Sequence, residues 1–182
     1  MRSTHLLSRM RVAAFAALTV IIIAACQTVE ETGRKQFNVL KPGDEARMGM
    51  SEFDKYKRSK PVVSSGSYHS MTQRVGNRLK RVVSMPNAQW EFVVFQDSTP
   101  NAFALPGGKV GVHTGLFKVV NSEAQLAAVL GHEIAHVTAR HSGERLSNAA
   151  LGSAIGAGIG LILEKQAGVK RGTAQALSLI HI

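Results

Sequence analysis

Two histidines and one glutamate near the middle of the chain have the types and the spacing needed to hold a metal ion. His132 and His136 are four residues apart, and Glu133 directly follows the first of them. On an α-helix, residues four apart lie one turn apart on the same face, so both imidazoles can bind one ion. Glu133 is rotated by about 100° from His132, near enough to act on a water at that ion. This His-Glu-x-x-His pattern predicts a Zn²⁺ site with His132 and His136 as ligands and Glu133 as general base.

The residues around this pattern predict the helix that must position it. Ser122, followed three residues later by Gln125, forms a capping box, and Glu123 places negative charge in the first turn. Glu133 is the only Asp, Glu, Lys or Arg from residue 124 to residue 139. A lone carboxylate in so apolar a helix is costly to bury without a partner, which favours a chemical role for it. Apolar residues recur at helical spacing on one face: Leu126, Val129, Leu130, Ile134 and Val137.

A third protein ligand is not evident in the sequence. Metzincins are excluded, because their glycine and third histidine are absent from positions 139 and 142. If the helix continues, His141 lies about 180° around from His132 and faces away from the metal. Glu144 is too near along the same helix path. Glu164 is far enough away, but the residues around it resemble no ligand motif, and we favour a surface charge at a helix end.

The first 25 residues predict an export signal. Arg2, Arg9 and Arg11 precede an uncharged, largely apolar run at residues 12–25, which is short for a membrane span but typical of a signal peptide. Residues 23–26, Ile-Ala-Ala-Cys, resemble a bacterial lipobox, so we expect cleavage before Cys26 and lipidation of this single cysteine. Gln27 stands where an inner-membrane lipoprotein usually has Asp, which favours anchoring to the outer membrane from the periplasm.

The charge of the chain favours a lipid surface over nucleic acid as a neighbour. The net charge is +10, and it falls by three to +7 without the three leader arginines. The basic residues form two clusters, one around Lys57 and one around Arg78. Neither cluster contains the series of interleaved aromatic residues that a nucleic-acid surface needs, so no nucleic-acid partner is expected. A solvated face near anionic headgroups fits an anchored protein. The basic residues cluster twice, at Lys55, Lys57, Arg58 and Lys60 and at Arg74, Arg78, Lys80 and Arg81.

The remaining pattern predicts an α+β domain, mostly helical, with a small sheet or hairpin beside the metal-site helix. We expect a tether at residues 26–42 and the N-terminal part of a single domain at residues 43–176. Within it, helices are predicted from residue 42 to about residue 58 and at residues 70–83, with a loop at residues 61–67 between them. Residues 90–96 give the strongest strand signal. Residues 101–105 and 109–113 predict a hairpin around Pro106-Gly107-Gly108.

The second strand of this hairpin has two possible roles. An edge strand near a zinc helix can pair an extended peptide substrate through main-chain hydrogen bonds. The strand could equally form only the floor of the site, and the pattern alone leaves both interpretations open. His113 is interpreted as a strand residue rather than a metal ligand. The residues assigned to substrate binding are Lys109, Val110, Gly111, Val112 and His113.

Two segments carry a resemblance to a known family. Residues 101–117, NAFALPGGKVGVHTGLF, and residues 127–147, AAVLGHEIAHVTARHSGERLS, resemble the family-48 zinc metallopeptidases, the gluzincins that include HtpX and the CAAX prenyl proteases. The resemblance covers about residues 30–150, and TGRKQFN soon after the cysteine is similar to the periplasmic lipoprotein branch. It implies a zincin-like fold, zinc bound by His132 and His136, Glu133 as catalytic base, and Lys109–His113 as the substrate-facing edge strand.

The resemblance also predicts what should follow this sequence. Members carry their third ligand in a Glu-x-x-x-Asp element on a later helix, and residues 142–182 contain no such pattern. Residues 177–182, LSLIHI, are what a common transposon adapter encodes in one frame, so we expect them to be adapter-derived and the natural protein to be longer. The third zinc ligand is therefore expected beyond the end of this chain. Residues 149–163 form an uncharged, glycine-rich run that is too short to span a bilayer.

Together these features predict a lipid-anchored, zinc-dependent endopeptidase that degrades misfolded or misassembled cell-envelope proteins. A non-catalytic periplasmic chaperone or assembly factor is the alternative, since two histidines alone make a loose zinc site. An integral membrane protease would require further apolar runs of spanning length, which the sequence lacks. The sequence predicts neither the oligomeric state nor the cleavage preference.

Overall fold

The computed structural model describes residues 26–29 and 33–167. The predicted signal peptide at residues 1–25 and the predicted adapter-derived residues 177–182 lie outside the described residues. The chain divides into two compact units, residues 29–34 with 40–142 and residues 1–28 with 35–39 and 143–182. The elements in chain order are β1 (Cys26–Thr28), β2 (Lys35–Phe37), α1 (Pro42–Ser59), β3 (Val62–Val63), α2 (Gly66–Leu79), β4 (Glu91–Phe95), β5 (Ala102–Leu105), β6 (Lys109–His113), a 3₁₀ helix (Thr114–Lys118), α3 (Glu123–Thr138) and α4 (His141–Ala167).

The larger unit is built on a four-stranded mixed sheet with the order β3-β4-β6-β5. Strands β4 and β6 run parallel, with Val93 opposite Gly111, while β3 pairs antiparallel with β4 and β5 antiparallel with β6. Helices α1, α2 and α3 belong to the same unit. The predicted α+β class, mostly helical with a small sheet, is confirmed.

Both faces of the sheet are covered, which explains the continuous apolar run Phe-Val-Val-Phe in β4. Successive residues of a strand point to opposite faces, and here Val94 lies in the core with α2 and α3 while Phe95 packs against Phe53 of α1. Leu126 and Leu130 of α3 are fully buried in the first of these cores. Burial of each such side chain contributes on the order of 2 kcal/mol, so α3 is held firmly on the sheet.

The predicted hairpin forms around the Pro106-Gly107-Gly108 turn. Gly107 and Gly108 have φ values of +89° and +83°, a region that disfavours any residue with a Cβ. The turn brings β5 and β6 into antiparallel register, with Leu105 opposite Lys109. The local glycine signal was therefore sufficient to predict this connection.

The region between α1 and α2 differs from the prediction. The segment at residues 61–67 was expected to be a loop, but Val62–Val63 pairs with β4 as β3 and α2 already begins at Gly66. Helix α2 ends at Leu79 rather than at residue 83. A two-residue strand carries no detectable periodicity, and its pairing partner is more than thirty positions away. Its presence therefore depends on a non-local contact.

The smaller unit contains a short hairpin and most of α4. Strands β1 and β2 pair antiparallel within the segment predicted as a tether, residues 26–42. The backbone N–H of Val39 donates to Ser147 Oγ (3.0 Å), and Ser147 Oγ donates to the carbonyl of Gly143 (2.7 Å). Asn38 and Ser147 are both buried. Among the described residues, no helix combines the length and the apolar character that crossing a membrane would require.

Candidate metal centre

Helix α3, which carries the His-Glu-x-x-His pattern, begins as predicted. Ser122 Oγ accepts a hydrogen bond from the backbone N–H of Gln125 (3.2 Å). The side chain of Gln125 in turn accepts from the backbone N–H of Asn121 (2.7 Å). The first bond satisfies an N–H group that the first turn of a helix leaves without an intrahelical partner, and the second holds the residue that precedes the N-cap.

An ion-pair cluster also supports the start of α3. The Glu123 carboxylate lies 2.6 Å from Arg74 Nε and 2.8 Å from Arg78 Nη1, both on α2. The hydrogen bond from Arg74 is the main reason why the pKa of Glu123 lies below its usual range. The two ion pairs also link α2 to the first turn of α3.

The burial pattern of α3 sets the direction of the functional side chains. Leu126, Leu130, Ile134 and Val137 are buried against the core. This fixes the rotation of the helix about its axis. As a result His132 is exposed, and Glu133 and His136 are half-buried.

The two predicted ligands converge on one another. Nε2 of His132 lies 3.1 Å from Nε2 of His136, and the rings are nearly perpendicular, with centroids 4.6 Å apart and an interplanar angle of 81°. Two nitrogens bound to a tetrahedral zinc ion at about 2.0–2.1 Å lie about 3.3 Å apart. The separation of the two Nε2 atoms is close to this value. The pair therefore fits a zinc ion with only a small adjustment.

The described part of the chain supplies two ligands rather than a complete set. Among the residues whose side chains the structure describes, no group of three or more His, Cys, Asp or Glu is arranged to hold a metal. Glu144 lies in α4 and belongs to no such group, while the side chain of Glu164 lies outside the described part. The third ligand expected beyond the chain stays a prediction.

The C-terminal end of α3 contradicts the prediction for His141. The helix does not continue: it ends at Thr138, Ala139 is its C-cap, and Arg140 adopts a left-handed conformation with φ +54°. The chain therefore turns before α4 begins at His141. Nδ1 of His141 lies 2.7 Å from Nδ1 of His136, so this side chain approaches the site instead of facing away from it.

The strand β6 is not the edge strand that the resemblance implied. It is hydrogen bonded to β4 on one side and to β5 on the other, and four of its five residues are buried. A strand paired on both sides has no free main-chain groups to pair with a substrate. The terminal strand of the sheet on this side is β5, which also contacts α3. The parallel pairing of β4 with β6 placed β6 in the interior, and sequence reasoning missed it because the two strands are not consecutive.

His113 ends β6 in a buried aromatic environment. Its Nε2 lies 2.7 Å from Tyr56 Oη, and its Nδ1 is buried, 3.8 Å from the Asp97 carboxylate. A hydrogen bond from Lys60 holds the pKa of Asp97 well below its usual range. This placement in β6 agrees with the interpretation of His113 as a strand residue. The contact between His113 and Tyr56 joins positions 57 residues apart and had no sequence signal.

Comparison with known proteins gives a consistent result. The family model described as Peptidase family M48 matches residues 69–181, more than half of the chain. The mitochondrial metalloendopeptidase OMA1 of Schizosaccharomyces pombe is 40% identical over 119 residues, which cover 64% of this chain and 35% of that protein. The beta-barrel assembly-enhancing protease of Escherichia coli K12 is 30% identical over 131 residues, covering 69% of this chain and 27% of that protein. The chain thus spans about a third or less of the length of these relatives.

Proposed function

The chain belongs to peptidase family M48, and we propose from this membership and the site geometry that it is the metal-binding part of a zinc-dependent endopeptidase. The observation that carries the proposal is the 3.1 Å separation of the two imidazole Nε2 atoms on one face of a rigidly held helix. His132 and His136 would hold the zinc ion. A third ligand would come from outside the described residues.

Glu133 would act as the general base. When bound, zinc supplies a Lewis acid that polarises the scissile carbonyl and acidifies a water molecule. The Glu133 carboxylate is half-buried on the metal-site helix, one position after His132. It can take the proton from the attacking water and deliver it to the leaving amine.

The sheet edge formed by β5 is the proposed binding strand for the substrate. Strand β5 is terminal in the sheet order and contacts α3, so an extended peptide paired with its outer side would run beside the metal-site helix. This assignment replaces β6 in the same role. The predicted mode of recognition, main-chain pairing with an extended peptide, is unchanged. The pairing strand is now β5, whose outer side has no strand partner among the described residues.

Cell-envelope proteins are the proposed substrates. The Escherichia coli relative is a beta-barrel assembly-enhancing protease, and the lipobox-like residues 23–26 favour export and lipid anchoring at Cys26, in the periplasm at the outer membrane. Mass spectrometry of the mature N-terminus tests the anchor. An unmodified Cys26 in the purified native protein would contradict it.

A non-catalytic chaperone or assembly factor is the second candidate. It is favoured by the ligand set among the described side chains, in which no group of three or more His, Cys, Asp or Glu could hold a metal ion. In that case the β5 edge would hold client proteins without cleaving them. The two candidates differ in whether removal of the Glu133 carboxylate changes peptide cleavage.

The deciding experiment compares the wild type with Glu133→Gln in the natural full-length protein. We expect the variant to retain zinc, because Glu133 is not a ligand, and to lose casein cleavage by at least about a hundredfold, because proton transfer is lost. Glu52→Gln, which alters an exposed glutamate of α1, serves as the matched control and should leave both properties unchanged. Cleavage retained in Glu133→Gln would refute the assigned role. A wild type that binds client protein and cleaves none would favour the chaperone.

A further inference from the structure

The C-terminal end of α3 is stopped by tertiary contacts rather than by a local signal. Arg140 is the one non-glycine residue with positive φ among residues 26–29 and 33–167, and such a conformation is unfavourable for a side chain with a Cβ. Its guanidinium Nη2 lies 2.7 Å from Glu45 Oε1 and donates to the carbonyl of Leu40 (2.6 Å). Glu45 is buried. These contacts hold Arg140 in the turn that separates α3 from α4.

The turn brings a third imidazole against the candidate metal site. An uninterrupted helix would place His141 on the side opposite His132. In the structure, Nδ1 of His141 instead lies 2.7 Å from Nδ1 of His136, with the two ring centroids 4.9 Å apart. The other nitrogen of His136, Nε2, faces His132. Both nitrogens of His136 therefore have a defined neighbour.

Only one direction of the hydrogen bond between His136 and His141 is compatible with metal binding. One of the two Nδ1 atoms must carry the proton and the other must accept it. If His141 donates, Nε2 of a neutral His136 is protonated and unable to bind a metal ion. If His136 donates, its Nε2 presents a lone pair on the side of His132. Metal-binding histidines generally use their second nitrogen to donate in this way.

We propose that His141 is a positioning residue for the metal site: its Nδ1 accepts the hydrogen bond from Nδ1–H of His136 and thereby fixes the tautomer and the ring orientation of that ligand. This inference rests on the proposed function, in which His136 is a ligand. The ligand class is a divalent metal ion of the zinc type. His141 touches neither the ion nor the substrate, and it acts through His136.

The test measures zinc binding by competition with a chromophoric chelator in the full chain. We expect His141→Leu, which removes the acceptor, to weaken zinc binding by about 10- to 100-fold. We expect His141→Asn to remain within about threefold of the wild type, because its amide oxygen can occupy the place of Nδ1. His69→Leu, which alters a half-buried histidine of α2, controls for the general effect of replacing a histidine with leucine.

A metal-free readout separates positioning from a purely structural role. Two-bond ¹H–¹⁵N correlation spectra report which nitrogen of a histidine carries the proton. We expect the proton of His136 on Nδ1 in the wild type and in His141→Asn, and largely on Nε2 in His141→Leu. This measurement on the wild type also decides the matter if His141→Leu fails to fold.

The outcomes are distinguishable from failure of the proposed function. A wild-type chain that binds no zinc would overturn both proposals. A wild type that binds zinc together with a His141→Leu variant that binds it equally tightly would overturn only the positioning role. The positioning role alone would also be overturned if His141→Asn lost as much zinc affinity as His141→Leu, or if His136 of the wild type carried its proton on Nε2.

Discussion

The two ends of helix α3 are built in different ways. At the start, Ser122 and Gln125 satisfy the first turn through bonds that span at most four residues. At the other end, the helix is stopped at Arg140 by contacts with Glu45 and Leu40, which are 95 and 100 residues away. The start of the metal-site helix is therefore determined by neighbouring residues, whereas its end is determined by tertiary contacts.

This comparison explains why one end was predicted and the other was not. A capping box can be read from neighbouring residues, and the structure confirms it. A helix stop is usually signalled by glycine or asparagine, and the position that adopts positive φ here holds arginine. Because the stopping contacts come from Leu40 and Glu45, far away along the chain, no local pattern predicts that His141 turns towards His136.

The largest expected effect is at the C-terminal end of α3. Glu45→Ala removes the buried carboxylate that pairs with the partly buried guanidinium of Arg140, so we expect the free energy of unfolding to fall by roughly 3 kcal/mol. Urea denaturation followed by circular dichroism measures this change. Zinc affinity should fall as well, because the turn that presents His141 loses its support.

A matched control lies on the same helix as Glu45. Glu52 pairs with Lys55 on the exposed side of α1, and the side chains are about three-fifths exposed (61% and 60%). Glu52→Ala should therefore change stability by no more than about 0.5 kcal/mol. Equal losses in Glu45→Ala and Glu52→Ala would show that the end of α3 does not depend on the contact with Arg140.

The same distinction between local and tertiary information applies to the sheet. The β5–β6 hairpin follows from Gly107 and Gly108, and it was predicted. The interior position of β6 follows from its parallel pairing with β4, although β5 lies between these two strands in the sequence. This position was not predicted. The pattern of His132, Glu133 and His136 could be read in advance because all three depend on the periodicity of one helix. The contacts of His113 and His141 could not, because they depend on where other elements pack.

A smaller effect is expected at the N-terminal end of α3. Ser122→Ala removes the side-chain acceptor for the N–H of Gln125, and loss of such a cap costs about 1 kcal/mol. Zinc affinity should remain within about twofold of the wild type, because the apolar face of α3 still fixes the rotation of the helix. Chelator competition and urea denaturation of this variant test both expectations. A loss of zinc affinity as large as that of Glu45→Ala would remove the proposed difference between the two ends.

The smallest expected effect on stability comes from removing the ion pairs of Glu123. This effect can be recognised by its dependence on pH. Arg74, followed by Arg78, lowers the pKa of Glu123 in the folded chain, so the deprotonated form is favoured by folding. The stabilisation is therefore fully present above the pKa of an unfolded glutamate, about 4.3, and is lost as the pH falls through the lower folded value. Wild type and Glu123→Gln should differ in stability at pH 7 and converge towards pH 3. The difference at pH 7 should shrink in high salt, because the side chains of Arg74 and Arg78 are largely exposed. A difference that persists unchanged at pH 3 would show that Glu123 stabilises the start of α3 through its shape or its neutral hydrogen bonds rather than through its charge.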